Sequence, residues 1–249
     1  MMLQNKCPIC YGQTALLDVV DFNKSCEEAR GKYLPLSGTP VYYAQCQNCA
    51  FTLAPEFKQW TDTDFLEKIY NADYIDIDPD YVQARPQANA EAILKLFDAH
   101  KSSIKHLDYG GGNGRLSELL REREWDSQTY DPFPANQQNI SELGKFNLIT
   151  AFEVFEHVPD VNQLMDNLTQ LMDSSCLLLF STLTTDEHIQ PNKRINWWYA
   201  SPRNGHISLF SKKSLILLGG KNKLNFGSFS DGFHCYVNQI PDWARSVIH

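Results

Sequence analysis

Between His106 and Gly114 the chain reads His-Leu-Asp-Tyr-Gly-Gly-Gly-Asn-Gly, after a short apolar approach and before a helix candidate at 115–121. Few folds accommodate that order. A glycine-rich turn between a strand and a helix adopts backbone conformations that side chains resist, and it lets a ligand come close to the main chain. The strand–turn–helix context gives such a motif its meaning. Seventeen residues after Gly114, a second strand candidate closes on Tyr130-Asp131. An acid at the tip of that strand can accept both ribose hydroxyls of an adenosine-containing cofactor. The plain alternative is a surface Asp opening a turn before Pro132. The expectation is a Rossmann-like α/β sheet with helices on both faces.

The seven cysteines give a second constraint. Cys7-Pro-Ile-Cys10 and Cys46-Gln-Asn-Cys49 each have the spacing that lets one tight turn aim two sulfurs at one ion. Two such turns complete a tetrahedral thiolate set suited to structural zinc. The 35 residues between the pairs make this a ribbon with an inserted excursion, with strand-like patches at 15–20 and 41–44. A redox role for either pair ranks lower, because no βαβ pattern surrounds it. Cys26, Cys176 and Cys235 read as unrelated. The start of the chain has no apolar h-region, and no apolar run approaches the roughly 18 residues of a membrane span. The expectation is a cytoplasmic protein without a membrane segment, where thiols stay reduced.

Residues 55–80 are acidic and aromatic, with Thr61 as a cap before a short helical pattern at 65–70. Residues 71–79 read as loop and 81–99 as a helix with Ala90, Ile93, Leu94 and Phe97 on one face. The expected division is a zinc-ribbon-like part at 1–54, a helical connector at 55–84 and the sheet domain at 85–249.

A nicotinamide dinucleotide would call for G-x-G-x-x-G, whereas the spacing here is Asp108-x-Gly110-x-Gly112-x-Gly114. That pattern resembles the first motif of class I S-adenosylmethionine-dependent methyltransferases. Phe146-Asn-Leu-Ile-Thr-Ala-Phe-Glu-Val-Phe-Glu-His-Val-Pro-Asp160 resembles their fourth-strand motif, and Leu177-Leu-Leu-Phe-Ser-Thr-Leu183 their fifth strand. The E-x-x-E-H-V-P-D run with F-S-T-L is similar to the ubiquinone-pathway O-methyltransferases. Residues 202–211, with Gly205-His206, resemble an element that follows the strands in many small-molecule methyltransferases. The resemblance implies a seven-stranded sheet, S-adenosylmethionine as cofactor and a small-molecule acceptor. Gly110, Gly112 and Gly114 would line its methionine and ribose, Asp108 would orient the loop, Asp131 would hold the ribose, and Phe133 would face the adenine. Glu153 would also border the cofactor. One departure stands out. Only 15 residues separate Asp131 from Phe146, where the family fits a helix and another strand, and Asn139-Ile140 is the candidate remnant at the adenine.

Glu153, Glu156 and His157 emerge at the carboxyl end of the fourth strand, the ligand side of such sheets. With His206 they resemble the Glu-Glu-His-His set of the plant small-RNA 3′-end methyltransferases, which holds magnesium. Magnesium or another divalent cation there would lower a hydroxyl's pKa. Without metal, His157 or His206 is the candidate general base, with Glu156 beside it. The bland reading is a helix-capping Glu and a packed His. His100, His188, His234 and His249 read as ordinary.

Charge divides the chain. The formal net charge of −8 argues against a protein that coats nucleic acid, yet residues 188–230 carry no acid and seven bases. Trp197, Trp198 and Arg203 in that stretch are candidate contacts for an anionic or aromatic substrate. The preferred expectation is O-methylation of a small molecule. The alternatives are RNA methylation through the basic stretch and a non-catalytic cofactor-binding scaffold.

Overall fold

The computed structural model describes residues 6–133 and 139–248. In chain order its strands are β1 (Thr14–Asp21), β2 (Pro40–Cys46), β3 (Thr52–Leu53), β4 (Lys105–Tyr109), β5 (Asp126–Tyr130), β6 (Phe146–Phe152), β7 (Met172–Ser181), β8 (Ser208–Leu209), β9 (Asn225–Ser228) and β10 (Phe233–Val237). Its α-helices are α1 (Asp62–Lys68), α2 (Tyr74–Ile77), α3 (Ala84–Phe97), α4 (Arg115–Arg121), α5 (Val161–Leu171) and α6 (Lys212–Lys221). Two compact units interleave along the chain. The first contains Met1–Pro79, Phe155–Leu164 and Thr182–Lys221, and the second Asp80–Val154, Met165–Ser181 and Asn222–His249.

The second unit is built on a mixed sheet in the order β5-β4-β6-β7-β10-β9. The first four strands are parallel, and β10 runs antiparallel to both β7 and β9. Central parallel strands are covered on both faces and need near-continuous apolar runs. Accordingly Leu148, Ile149 and Ala151 of β6 and Leu177, Leu178, Leu179 and Phe180 of β7 are all buried. Helix α3 presents Ala90, Ile93 and Phe97 to a core shared with Leu116 and Leu120 of α4, Trp125, and the strand residues Leu148, Leu177 and Leu179. Asp231-Gly232, a dipeptide that favours tight hairpin turns, lies between the antiparallel strands β9 and β10.

The sheet has six strands among the described residues, which corrects the expected seven. The stretch between β5 and β6 is too short for a further strand and its connecting helix, and its described residues hold a 3-10 turn at Ile140–Glu142.

The first unit has an antiparallel sheet in the order β1-β2-β3-β8. Its two longer strands are the apolar patches at 15–20 and 41–44, extended by hydrogen bonding to Thr14–Asp21 and Pro40–Cys46. Phe210 packs against Phe51 at 5.0 Å and Phe155 at 5.8 Å between ring centroids, joining distant parts of the chain in one apolar centre. Helix α1 starts on the expected cap: Thr61 Oγ1 accepts from Asp64 N, and the Asp64 carboxylate accepts from Thr61 N at 2.9 Å. The one-turn helix α2 occupies a stretch read as loop, because four residues are too few to show a 3.6-residue period. Among the described residues no helix is long and apolar enough to cross a membrane.

Candidate functional site

In the second unit the expected ligand residues collect at the carboxyl ends of parallel strands. Gly110, Gly112 and Gly114 follow β4 with φ of 74°, 55° and 81°, conformations that favour glycine. Gly110 N donates to Tyr130 O at 2.7 Å, which ties the turn to the end of β5. Asp131 just beyond accepts from Gly112 N at 2.7 Å and Phe133 N at 2.9 Å, so one carboxylate organises both loops. Burial pushes Asp131 above its ordinary range against those two hydrogen bonds. A side-chain carbon added at Gly112 meets nothing within 4 Å, so the loop backbone is open there.

Asp108 lies beneath this loop, buried on β4. Thr150 Oγ1 donates to it at 2.9 Å, and Thr150 Oγ1 is also 3.0 Å from His106 Nε2. Because the threonine hydroxyl gives its proton to Asp108, it accepts from His106 Nε2–H. His106 Nδ1 then accepts from Ser127 Oγ at 2.7 Å. Burial drives His106 down to about 3, so the imidazole is neutral, as this relay requires. Burial also raises Asp108 to about 7, with the Thr150 hydrogen bond opposing and the neighbouring Asp131 charge adding to the rise.

This has a measurable consequence. Between about pH 4 and 7 the folded chain keeps a proton on Asp108 that the unfolded chain, with an ordinary value of 3.8, has released. Stability from this group is therefore complete below about pH 4 and is lost as pH rises towards 7, by on the order of 4 kcal/mol. Denaturant titrations across this window should show Asp108→Asn with a flatter pH dependence than the wild type. An unchanged slope would mean that Asp108 ionises normally.

Glu153 closes β6 with φ of 55°, unusual for a residue with a side chain. Its N–H donates to Ser181 Oγ at 2.8 Å, and that hydroxyl donates to Glu153 Oε1 at 2.7 Å. The strained turn is thus held by the last residue of β7.

In the first unit Glu156, His157 and His206 come together, each offering one ligand atom within 4.8 Å of the others. Glu153 is not among them, so the expected set of four is three here. Glu156 and His157 sit on the 3-10 turn Phe155–His157, and His206 just precedes β8. The Glu156 carboxylate is fully buried, and Tyr199 OH donates to its Oε1 at 2.6 Å. His206 Nδ1 donates to Tyr199 O at 2.8 Å, which makes Nε2 the basic nitrogen of the neutral ring. His157 Nδ1 lies 3.2 Å from Tyr70 OH, and its Nε2 lies 4.0 Å from Glu156 Oε1. The two imidazoles meet edge to face at 4.8 Å between centroids.

Gly205 makes this packing possible. Its φ is 86°, and an added side-chain carbon would lie 3.0 Å from His157 Nδ1 and 3.2 Å from Tyr70 OH. Gly205→Ala should lower stability by about 1–3 kcal/mol, combining backbone strain with overpacking. Chemical denaturation checks this, and a loss below about 0.5 kcal/mol would contradict the packing.

The expected substrate contacts have other surroundings. Arg203 is buried and donates to Ile69 O at 2.9 Å and Asn71 Oδ1 at 3.2 Å, which makes it an internal anchor of its unit. Trp197 is buried and stacked on His188 at 4.7 Å, whereas Trp198 is 36% exposed with its ring edge to Tyr199. Of the other cations in the basic stretch, Arg194 pairs with Asp18 at 2.8 Å and Lys221 donates to Asn162 Oδ1 at 2.7 Å. His234 is buried 2.9 Å from Ser228 Oγ, and His249 lies outside the described residues.

The four cysteines also assemble. Their sulfurs lie within 4.8 Å of one another, with Cys7 Sγ 3.7 Å from Cys49 Sγ and Cys10 Sγ 3.5 Å from Cys46 Sγ. All are free thiols. Hydrogen bonding from Cys49 draws Cys7 below the usual thiol range, and the same contact pushes Cys49 up.

Several site residues had no sequence signal of their own. Tyr199 and Tyr70 carry no motif of their own, and Thr150 stands inside the fourth-strand run without distinction. Gly111 is marked in the sequence only by the run of three glycines, yet an added side-chain carbon there would lie 2.1 Å from Asp108 Oδ2.

A family model described as a methyltransferase domain matches residues 81–225, more than half of the chain. Among solved structures, the 1,6-didemethyltoxoflavin-N1-methyltransferase of Burkholderia thailandensis, with bound 1,6-didemethyltoxoflavin and S-adenosylhomocysteine, is similar with a TM-score of 0.50. It is 13% identical, over 84% of this chain and 99% of that one. The magnesium protoporphyrin IX methyltransferase of Synechocystis PCC 6803, with bound S-adenosylhomocysteine, aligns with a TM-score of 0.41 at 14% identity, over 74% of this chain and 98% of that one. No curated protein sequence matches the chain.

Proposed function

Because the chain belongs to the methyltransferase-domain family, we propose that it transfers a methyl group from S-adenosylmethionine to a small molecule, at a hydroxyl oxygen. The observation that carries this reading is the pair of loops organised by Asp131, with the open backbone at Gly112 above the buried Asp108. The residues present fit the cofactor. Gly110, Gly112 and Gly114 allow close approach to the main chain, Asp131 offers acceptors to ribose hydroxyls, and Phe133 offers a ring to adenine. Glu153, fixed by Ser181, gives this unit a third carboxylate. When bound, S-adenosylmethionine supplies an already activated sulfonium methyl. The protein's remaining tasks are to orient the acceptor and take its proton.

We assign general-base chemistry to His206 of the first unit, whose Nδ1–H is held on Tyr199 O so that Nε2 is the basic nitrogen, with the buried Glu156 carboxyl group beside it. His157, hydrogen-bonded with Tyr70, is the second imidazole of the cluster. A second reading is favoured by the donor set itself. Two imidazoles and a carboxylate within 4.8 Å suit a divalent first-row cation better than magnesium, which prefers oxygen. The four thiols are assigned to a structural zinc ion, kept reduced in the cytoplasm.

The test is transfer of labelled methyl from S-adenosylmethionine to a panel of hydroxylated small molecules, with and without a chelator. Turnover supports the reading, and loss of turnover to the chelator while the thiolate zinc stays bound by elemental analysis separates the metal from the base. A chain that binds the cofactor yet methylates nothing in a broad panel would favour a scaffold.

A further inference from the structure

We propose that the ion held by Cys7, Cys10, Cys46 and Cys49 fixes the position of His206, so that filling the thiolate site organises the Glu156–His157–His206 cluster. The proposal rests on the zinc assignment above and adds a positioning role to it.

Two independent turns present the sulfurs in the same geometry. Tyr11 N returns to Cys7 O at 3.0 Å, and Ala50 N returns to Cys46 O at 2.9 Å. Cys7 N then donates to Gly12 O and Cys46 N to Phe51 O, each at 2.9 Å. The residue after each pair is left-handed without being glycine, with φ of 60° at Tyr11 and 57° at Ala50. Such conformations cost on the order of 1 kcal/mol each and persist where something over-determines them. A tetrahedral ion with bonds of about 2.3 Å places its sulfurs about 3.8 Å apart. The observed 3.5 and 3.7 Å are close to that separation and far from the roughly 2.05 Å of a disulfide.

The second turn closes the β2–β3 hairpin, and that hairpin holds the segment carrying His206 at several points. Tyr43 OH, from β2, donates to His206 O at 2.6 Å, and both residues are buried. Ala54 N donates to Ile207 O at 2.9 Å. Thr52 and Leu53 of β3 pair with Leu209 and Ser208 of β8. Ser211 Oγ donates to Cys49 O, the carbonyl of a thiolate residue itself. The segment from His206 to Ser211 is therefore fastened at both ends and along its length to the hairpin that the ion clips shut. Two-residue strands such as β3 and β8 have little stability of their own, so their pairing depends on that closure.

The test combines metal analysis with the imidazole proton and carbon NMR signals of the full chain. About one zinc per chain is expected, and cobalt substitution should give thiolate-to-metal charge-transfer absorption with a tetrahedral ligand-field pattern. Removing zinc should shift the His206 and His157 signals and leave those of His106 and His234 in place, and one equivalent of zinc should restore them. Tyr43→Phe, which leaves the thiolates intact, should keep its zinc and still shift His206. A chain that loses zinc without any change at His206 would overturn the positioning role while leaving the zinc assignment standing. A chain with neither zinc nor a cobalt–thiolate spectrum would overturn both.

Discussion

Gly111→Ala is expected to weaken binding of S-adenosylhomocysteine by at least about a hundredfold, the equivalent of some 3 kcal/mol. The added carbon would lie 2.1 Å from Asp108 Oδ2, 2.7 Å from Asp108 Cγ and 2.9 Å from Thr129 Cγ2. Asp108 is buried and held by Thr150, so it has little room to retreat. The loop must lift instead, and lifting carries away the Gly112 amide that Asp131 holds. Gly220→Ala is the matched control, because an added carbon there meets nothing within 4 Å and its φ lies in the ordinary range. Calorimetry on the two variants checks the prediction. Equal affinities would show that the loop does not bind the cofactor.

Glu156→Ala should have the opposite profile. Methyl transfer is expected to fall by about a hundred- to ten-thousandfold, the usual range for losing a group that supports proton transfer. S-adenosylhomocysteine affinity should change less than about threefold, because the glycine loop and Asp131 follow β4 and β5, whereas Glu156 follows β6. Stability should also drop, by about 1–3 kcal/mol, because Tyr199 OH loses its buried acceptor. Glu156→Gln separates the two effects. It keeps an acceptor for Tyr199 and so retains stability, but it removes the charge facing the imidazoles and leaves turnover low. Turnover near wild type in Glu156→Gln would show that the carboxylate serves packing rather than chemistry.

Signals carried by near neighbours were legible in the sequence. The glycine loop with Asp108, the acid after β5 and the apolar runs of β6 and β7 are such signals, and so is the Thr61 cap. The two cysteine pairs announced themselves by spacing, and their meeting needed only that β1 and β2 pair. What failed to show depends on distant contacts. The basic stretch suggested a substrate surface because charge is visible in a sequence and partners are not, yet Arg203 is turned inward onto Ile69 O. Glu153 and Glu156 stand three apart, a spacing that would share one face of a helix. The chain there forms a left-handed turn and a 3-10 turn, and Glu153 bonds to Ser181. Tyr199 gained its role only because its hydroxyl reaches Glu156, 43 positions away in sequence. The limit of six strands is foreshadowed by the short Asp131–Phe146 span, which leaves no room for a further strand and its helix. The interleaving of two units has no sequence signature, since each crossing falls inside an ordinary run of residues.

The proposed methyl transfer requires that the loops joined by Asp131 bind an adenosine-containing sulfonium cofactor. Calorimetric titration of the wild-type chain with S-adenosylhomocysteine, run beside Asp131→Ala, tests it most directly. Saturable binding at about one site per chain is expected, with affinity falling at least about tenfold in the variant as the ribose and Gly112 partners are lost. Absence of saturable binding to the wild type, or equal binding by Asp131→Ala, would contradict it.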